Sequence, residues 1–341
     1  MSETKFNVAV VGATGVVGEA MLAILAEREF PVEEVYALAS DRSVGKRVEF
    51  GERMIKVTDL AEFDFSQVDL ALFATDATIS QQYVPEATSA GAISIDTSSA
   101  FRYEDDIPLV VPEVNPDAVS DYTHRGIIAS PNPLSVQLLL ALKPIHDAVG
   151  VARINICTYQ SVSGSGKQAI ETLAFETASL MNAKSVKPGV YGKQIAFNVL
   201  GQVGELSSNG YTKEEMELVR DSAKILAEDS LQINPTAVRV PIFYGNAEAV
   251  HIETKDKISA VSARELWENA PGVKVMDEPG ETGYPTPVSE SSASDEVFIG
   301  RIREDISHLQ GLNFWSVSDN VRRGAALNSV QIAEILVKNY L

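Results

Sequence analysis

Val8-Ala9-Val10-Val11-Gly12-Ala13-Thr14-Gly15-Val16-Val17-Gly18 sets a strand, a glycine turn and a helix start in one short run. Phe6–Val11 is apolar and ends at a glycine, which reads as a buried strand. Residues 19–29 then carry Met21, Leu22, Ile24 and Leu25 at helical spacing. A strand that turns through glycines into a helix is the setting of a dinucleotide loop. The glycines let the backbone turn tightly and approach a pyrophosphate, whose charge sits at the helix N-terminus. The spacing is G-x-x-G-x-x-G rather than G-x-G-x-x-G, so the pattern alone is weak evidence. Its place on the first strand of a βαβ series strengthens it. A tight turn without a ligand is the plain alternative.

Outward from this loop, strands are expected at 35–39, 70–74 and 92–96, alternating with helix-compatible stretches such as 80–90. This alternation predicts a parallel, doubly wound domain over residues 1–131. The second half reads differently. It offers a strand at 151–160 and long helices at 167–182 and 213–228. Strands at 238–243 and 249–254 lie around a turn, and two more fall at 297–303 and 312–318. These predict an α+β domain over residues 132–320. Residues 321–341 read as a C-terminal helix of good formers that returns to the first domain. Residues 289–296 read as an exposed loop. The fold class is therefore α/β, a Rossmann-type domain followed by an α+β domain.

The chain has 341 residues, with 47 acidic and 28 basic side chains and a net charge of −19. Such a balance argues against nucleic acid or an anionic membrane surface as a partner. No apolar run approaches the roughly 18–20 residues that a membrane span needs. The longest, 136–142, is short and ends at Lys143 and Pro144. The first residues lack the charged-then-apolar layout of a signal peptide. The expectation is a cytoplasmic protein with a small-molecule ligand. One cysteine, Cys157, excludes a disulfide framework and a multi-cysteine metal site. No metal site is expected. Within its strand Cys157 reads as a small buried apolar side chain.

The end of the second strand chooses between nicotinamide cofactors. An acid there binds ribose hydroxyls, whereas an arginine accepts a 2′-phosphate. The sequence is Ala39-Ser40-Asp41-Arg42-Ser43. Ser40, Arg42 and Ser43 suit a phosphate, and Asp41 argues mildly the other way. NADP is favoured over NAD, with ordinary polar loop residues as the alternative.

Several strings in order along the chain resemble the aspartate-β-semialdehyde dehydrogenase family. They are Gly12–Gly18, Leu38-Ala39-Ser40 with Arg42-Ser43, Ser98-Ser99-Ala100-Phe101-Arg102, Val111-Pro112-Glu113-Val114-Asn115, Tyr159-Gln160-Ser161-Val162-Ser163-Gly164, Tyr284-Pro285-Thr286-Pro287 and Trp315-Ser316-Val317-Ser318-Asp319-Asn320. The resemblance implies NADP-dependent reduction of β-aspartyl phosphate and a homodimer built through the second, catalytic domain. It implies cofactor contacts from Gly12, Thr14, Gly15, Val16 and Val17, from Ser40, Arg42 and Ser43, and from Gly164 and Asn320. It implies that Gln160 orients the reacting carbonyl, Arg239 holds the substrate carboxylate, and Arg102 contacts phosphate. Asn132 and Glu214 are implied substrate contacts, Glu214 reading the amino group. Plain readings stand beside these: a strand-ending hydrogen bond for Gln160 and structural ion pairs for the two arginines.

The resemblance breaks at three catalytic roles. The family's cysteine attacks the acyl phosphate, and a histidine serves as its acid–base partner. The cysteine follows an asparagine at a helix start. Here Asn132 is followed by Pro133, which has no nucleophilic atom, although Asn suits an N-cap and Pro the first helical position. Ser135 lies nearby with no evident base. The histidine's position is Asn246, seven residues after Arg239. Asparagine exchanges no proton near neutral pH. His251 lies at an odd offset from it and is expected on the other face of the strand. The family's phosphate-binding lysine is replaced by Glu217, which repels phosphate or is simply solvated.

These losses predict a Usg-like paralogue, inactive or nearly so in the parent reaction. An NADP-dependent reductase of another small carbonyl, with Tyr159 or Tyr244 donating the proton, is one alternative. A regulatory protein forming mixed dimers is another.

Overall fold

The computed structural model describes residues 4–341. The chain forms two compact units, one running through Asn132 and resuming at Ala325–Leu341, the other spanning Pro133–Gly324.

The first unit opens with β1 (Phe6–Val11), α1 (Val16–Glu27) and β2 (Val32–Ala39). It continues through β3 (Arg47–Phe50), β4 (Arg53–Asp59), β5 (Leu70–Phe73), α2 (Ala77–Ser89), β6 (Ile93–Asp96) and β7 (Ile127–Ala129). The seven strands form one sheet in the order β3-β4-β2-β1-β5-β6-β7. All pairs are parallel except β3 with β4. The chain winds from β1 to β2 on one side and returns to β5 on the other, so the sheet reverses direction at β1. β1 and β5 are near-continuous apolar runs because helices cover both faces of a parallel sheet. The helix expected at 19–29 begins earlier, at Val16, directly after the last loop residues.

The second unit has α3 (Pro133–Val149), β8 (Val151–Gln160), α4 (Lys167–Met181), α5 (Lys213–Leu226), β9 (Gln232–Arg239) and β10 (Asn246–Thr254). Then follow α6 (Ala260–Glu268), β11 (Val273–Val275), β12 (Val297–Glu304) and β13 (Gly311–Ser318). Their sheet is mixed, in the order β11-β12-β13-β10-β8-β9. α3 packs on β8, β10, β12 and β13, and on α5 and α6. That position buries an unbroken run from Leu134 to Leu142, which explains a helix apolar on all sides. α6 is pinned to it where Trp267 Nε1 donates to the Ala141 carbonyl at 2.7 Å. Strand alternation puts Ile154, Ile156, Thr158 and Gln160 on the helix-covered face. Asn155, Cys157 and Tyr159 fall on the other face, which is only half-buried.

The chain end completes the first unit. α7 (Asn328–Asn339) sends Val330, Ile332, Ala333 and Leu336 into the same core as Met21, Leu22 and Leu25 of α1. Arg28 grips Glu334 through two hydrogen bonds of 2.6 and 2.8 Å.

Several expectations need correcting. The strand expected at 238–243 ends at Arg239, because Pro241 cannot donate to a ladder. It does not form a hairpin with β10; β8 lies between them, parallel to β9 and antiparallel to β10. The helix expected over 321–341 is a π-helical segment, Arg322–Leu327, followed by α7. The loop expected at 289–296 overlaps a π-helical turn, Pro287–Ser291, and Ser291 is fully buried. The β3–β4 hairpin escaped notice because its strands are short and charged, as edge strands tend to be.

Candidate active site

The ends of β1, β2 and β5 converge on a cleft of about 760 Å³ in the first unit. Gly12, Thr14, Gly15, Ser40, Arg42 and Thr75 are among its lining residues. This lies at the reversal of the strand order, where doubly wound sheets bind ligands. Gly12 sits at φ +83°, and a Cβ there would lie 2.4 Å from the Ala74 carbonyl oxygen. A Cβ on Gly18 would lie 2.2 Å from the Gly12 oxygen. Both positions need glycine for the helix and strands to close on each other. Gly15 is the N-cap of α1 and brings no side chain to its first turn, which Val16 and Val17 open. Thr14 Oγ1 and Ser43 Oγ, 3.3 Å apart, tie the glycine loop to the turn carrying Arg42. Asp41 is engaged locally, accepting the Arg42 backbone N–H at 2.7 Å.

Arg102 is buried in the same unit and donates to two carbonyls, Ser130 at 3.1 Å through Nε and Thr97 at 2.7 Å through Nη2. It therefore braces the ends of β6 and β7. Asp96 beside it is pushed upward in pKa by burial, against hydrogen bonds from Ser98 and Ser80.

In the second unit the position expected for the nucleophile is the first residue of α3. Pro133 occupies that turn and packs against Gly324, where an added Cβ would lie 2.5 Å from the proline Cβ. Asn132 is buried just before it. The expectation that Ser135 has no base beside it was wrong. Its hydroxyl donates to Asp221 Oδ2 at 2.9 Å. Both residues are fully buried. The pair ties α3 to α5.

Asn246, expected at the acid–base position, is buried and committed. Its Oδ1 accepts the Ser161 backbone N–H at 3.0 Å. Asn320 completes the cluster, accepting from the Ser161 and Ser163 hydroxyls at 3.0 and 3.1 Å and from the Gly245 N–H at 3.0 Å. His251 faces away, bonded through Nε2 to Asp305 at 2.7 Å. The Ser307 hydroxyl and amide hold the Asp305 pKa down to about 2, with His251 adding to the effect. Cys157 is half-buried on that same outer face, not enclosed as expected. Residue alternation places it on the opposite side of the sheet from Gln160 and Asn246.

Gln160 is buried, with Nε2 donating to Thr158 Oγ1 at 3.2 Å. Arg239 is 5% exposed, and its Nη1 donates to the Ser161 carbonyl. Gly164 lets that guanidinium approach: a Cβ there would lie 3.2 Å from Nη1. Burial pulls the Arg239 pKa down, while Tyr191 and Glu214 act the other way. Glu217 is half-buried on α5, not a freely solvated side chain. Gln160, Gly164, Arg239, Asn246 and Asn320 thus gather around Ser161.

Three residues were missed. Asp221 gave no signal beyond helical spacing. Glu248 is fully buried, neither carboxylate oxygen has a hydrogen-bond partner, and burial drives its pKa well upward. It lies two positions after Asn246, so a strand read from 246 rather than 249 would have placed both on one buried face. Tyr191 lies in irregular chain, where periodicity is silent. Among the described residues no group of acidic, histidine or cysteine side chains is placed to hold a metal.

Residues 7–122 match the family model of the semialdehyde dehydrogenase NAD binding domain, and residues 142–323 match that of the dimerisation domain. An aspartate-semialdehyde dehydrogenase of Legionella pneumophila is 54% identical over 335 residues, covering 98% of this chain and 96% of its own. Aspartate-semialdehyde dehydrogenase 2 of Vibrio cholerae is 50% identical over 336 residues, covering 98% and 99%. The crystal structure of aspartate semialdehyde dehydrogenase II from Vibrio cholerae, complexed with ASA, superimposes with a TM-score of 0.97 at 50% identity. It covers 99% of this chain and 100% of that one.

Proposed function

The chain belongs to the semialdehyde dehydrogenase family, and from that premise we propose that it keeps the family's binding scaffold without the family's covalent chemistry. The observation that carries this reading is Pro133 at the first turn of α3. In the parent reaction a thiolate attacks the acyl carbon, phosphate leaves, and a thioester forms. Hydride transfer then releases the aldehyde and the thiolate. Pro133 supplies no atom for the attack. Asn246 supplies no titratable proton and is held by Ser161. Glu217 puts a negative charge where a cation would favour phosphate. Loss of acid–base help alone costs about 10²–10⁴-fold in rate. Loss of the nucleophile removes the covalent path itself. The reading is therefore a Usg-like paralogue, inactive or nearly inactive as an aspartate-semialdehyde dehydrogenase.

The first-unit cleft fits NADP. Gly12, Gly15 and Gly18 allow close approach of a pyrophosphate to the start of α1, and no side chain caps that turn. Arg42, with Ser40 and Ser43, would hold a 2′-phosphate, since Asp41 is turned onto its own loop. The nicotinamide, when bound, supplies hydride chemistry. A homodimer formed through the second unit completes the reading.

Reduction of another carbonyl through Tyr159 or Tyr244 has less support. Tyr159 points to the face opposite Gln160 and packs on Trp315 with centroids 5.6 Å apart. Tyr244 lies in an exposed loop.

NADP titration tests the cofactor arm. NADP is expected to bind more tightly than NAD, and Arg42→Ala to remove about ten-fold or more of that preference, the scale of a charged hydrogen bond. Equal binding of both cofactors would contradict the assignment of Arg42.

A further inference from the structure

Arg239 packs against Tyr191, a residue to which no role has been given above. Arg239 is 5% exposed, yet only Nη1 has a hydrogen-bond acceptor, and its Nε lies buried without one. Tyr191 sits between α4 and α5, its ring against the small core of Val162, Leu173, Ile195 and Leu200. Its phenolic oxygen is also buried and also lacks a hydrogen-bond partner. The guanidinium carbon lies 5.8 Å from the tyrosine ring centroid.

Buried polar groups are nearly always paired, so each exception calls for an explanation. Two unmet donors on one contacting pair of side chains, one of them cationic, suit an acceptor with two oxygens and a negative charge. A carboxylate has both. It would take the Nε–H of Arg239 on one oxygen and the Tyr191 O–H on the other. Nη1 stays on the Ser161 carbonyl and fixes the plane of the guanidinium, so the Nε edge is presented ready-oriented. Glu214 acts electrostatically on the same guanidinium. Its negative charge disfavours a dianion such as phosphate and favours a singly charged ligand.

We propose that Tyr191 is a ligand-binding residue that, with Arg239, recognises the carboxylate of a small organic acid. The proposal rests on the reading of Arg239 as a ligand contact. It adds a second anchor and a reason for carboxylate over carboxamide: only the carboxylate brings a charge to the guanidinium and an acceptor oxygen to each of the two donors.

The test is isothermal titration of the full-length protein with L-aspartate β-semialdehyde and with its α-carboxamide. Wild type, Tyr191→Phe and Arg239→Lys are compared. Tyr191→Phe deletes one unpartnered oxygen and keeps the ring beside Arg239, so the thermal midpoint should stay near that of wild type. Wild type is expected to prefer the carboxylate. Tyr191→Phe is expected to weaken carboxylate binding about ten-fold and the carboxamide less than about two-fold. Arg239→Lys should lose the preference as well. Unchanged carboxylate binding in Tyr191→Phe, with loss in Arg239→Lys, would overturn the role of Tyr191 and leave the Arg239 site standing. Equal weakening of both ligands in Tyr191→Phe would mark a structural residue and also overturn it. No carboxylate preference in wild type would overturn the Arg239 reading and this inference together.

Discussion

Pro133, Asn246 and Glu248 carry most of the residue-level argument. Pro133 brings no thiol to the start of α3, and Asn246 accepts the Ser161 N–H; the proposed function reads these as the nucleophile and acid–base positions. Replacing both, Pro133→Cys with Asn246→His, is expected to raise turnover of aspartate semialdehyde with NADP and phosphate above wild type. The double variant should exceed Pro133→Cys alone by up to the 10²–10⁴-fold that acid–base help is worth. Steady-state rates check this, and a double variant no faster than wild type would count against both assignments. Glu248 gives a pH signature. Burial raises its folded pKa above the ordinary 4.5, so the folded state holds the proton more tightly than the unfolded chain. Its contribution to stability is therefore intact below about pH 4.5 and falls as pH rises through the window up to the folded pKa. Glu248→Gln should match wild type in melting temperature at pH 4 and exceed it increasingly toward neutrality. A constant difference across pH would contradict a buried titrating carboxyl.

Motif positions can be proposed from sequence because chemistry fixes their spacing. Pro133 and Asn246 could be located by counting from Asn132 and Arg239. Glu248 and Tyr191 could not, since burial and lost partners are properties of packing. Asp221 and Cys157 show the same limit: nothing in sequence places a carboxylate on α5 beside Ser135, or leaves a strand cysteine half-exposed.

Among the elements, the β1 loop and α7 are the sharpest to test. Gly12 combines positive φ with a Cβ position 2.4 Å from backbone. Gly12→Ala should therefore destabilise the first unit by about 1–3 kcal/mol and abolish NADP binding. Urea unfolding and cofactor titration measure the two effects. α7 buries Val330, Ile332 and Leu336 and binds the Val110 carbonyl and Ser130 hydroxyl through Asn328 Nδ2, at 3.0 and 2.9 Å. Each buried aliphatic side chain contributes about 2 kcal/mol, so deletion removes a large part of the usual 5–15 kcal/mol of a whole domain. A chain ending at Leu327 is expected to leave the first unit unfolded by circular dichroism and proteolysis; a fully folded truncation would contradict α7's place in that core. Elements with strong periodicity, such as β1, β8 and α4, were readable to within a few residues. The β3–β4 hairpin and the break before α7 were not. Charged edge strands mute the alternation, and helix periodicity does not separate π-helix from α-helix.

For the molecule as a whole, the dimerisation-domain match over residues 142–323 motivates a homodimer. Native mass spectrometry should find two 36.8 kDa chains together. A monomer at micromolar concentration would remove that arm of the account. The central claim is that a family fold persists here without the thiol step. Its most direct measurement supplies the purified, NADP-titrated protein with aspartate semialdehyde, NADP and phosphate and follows NADPH formation. Cofactor binding with no turnover above background is expected, and turnover in the usual enzyme range of about 1–10³ per second would show that the thiol step is not needed.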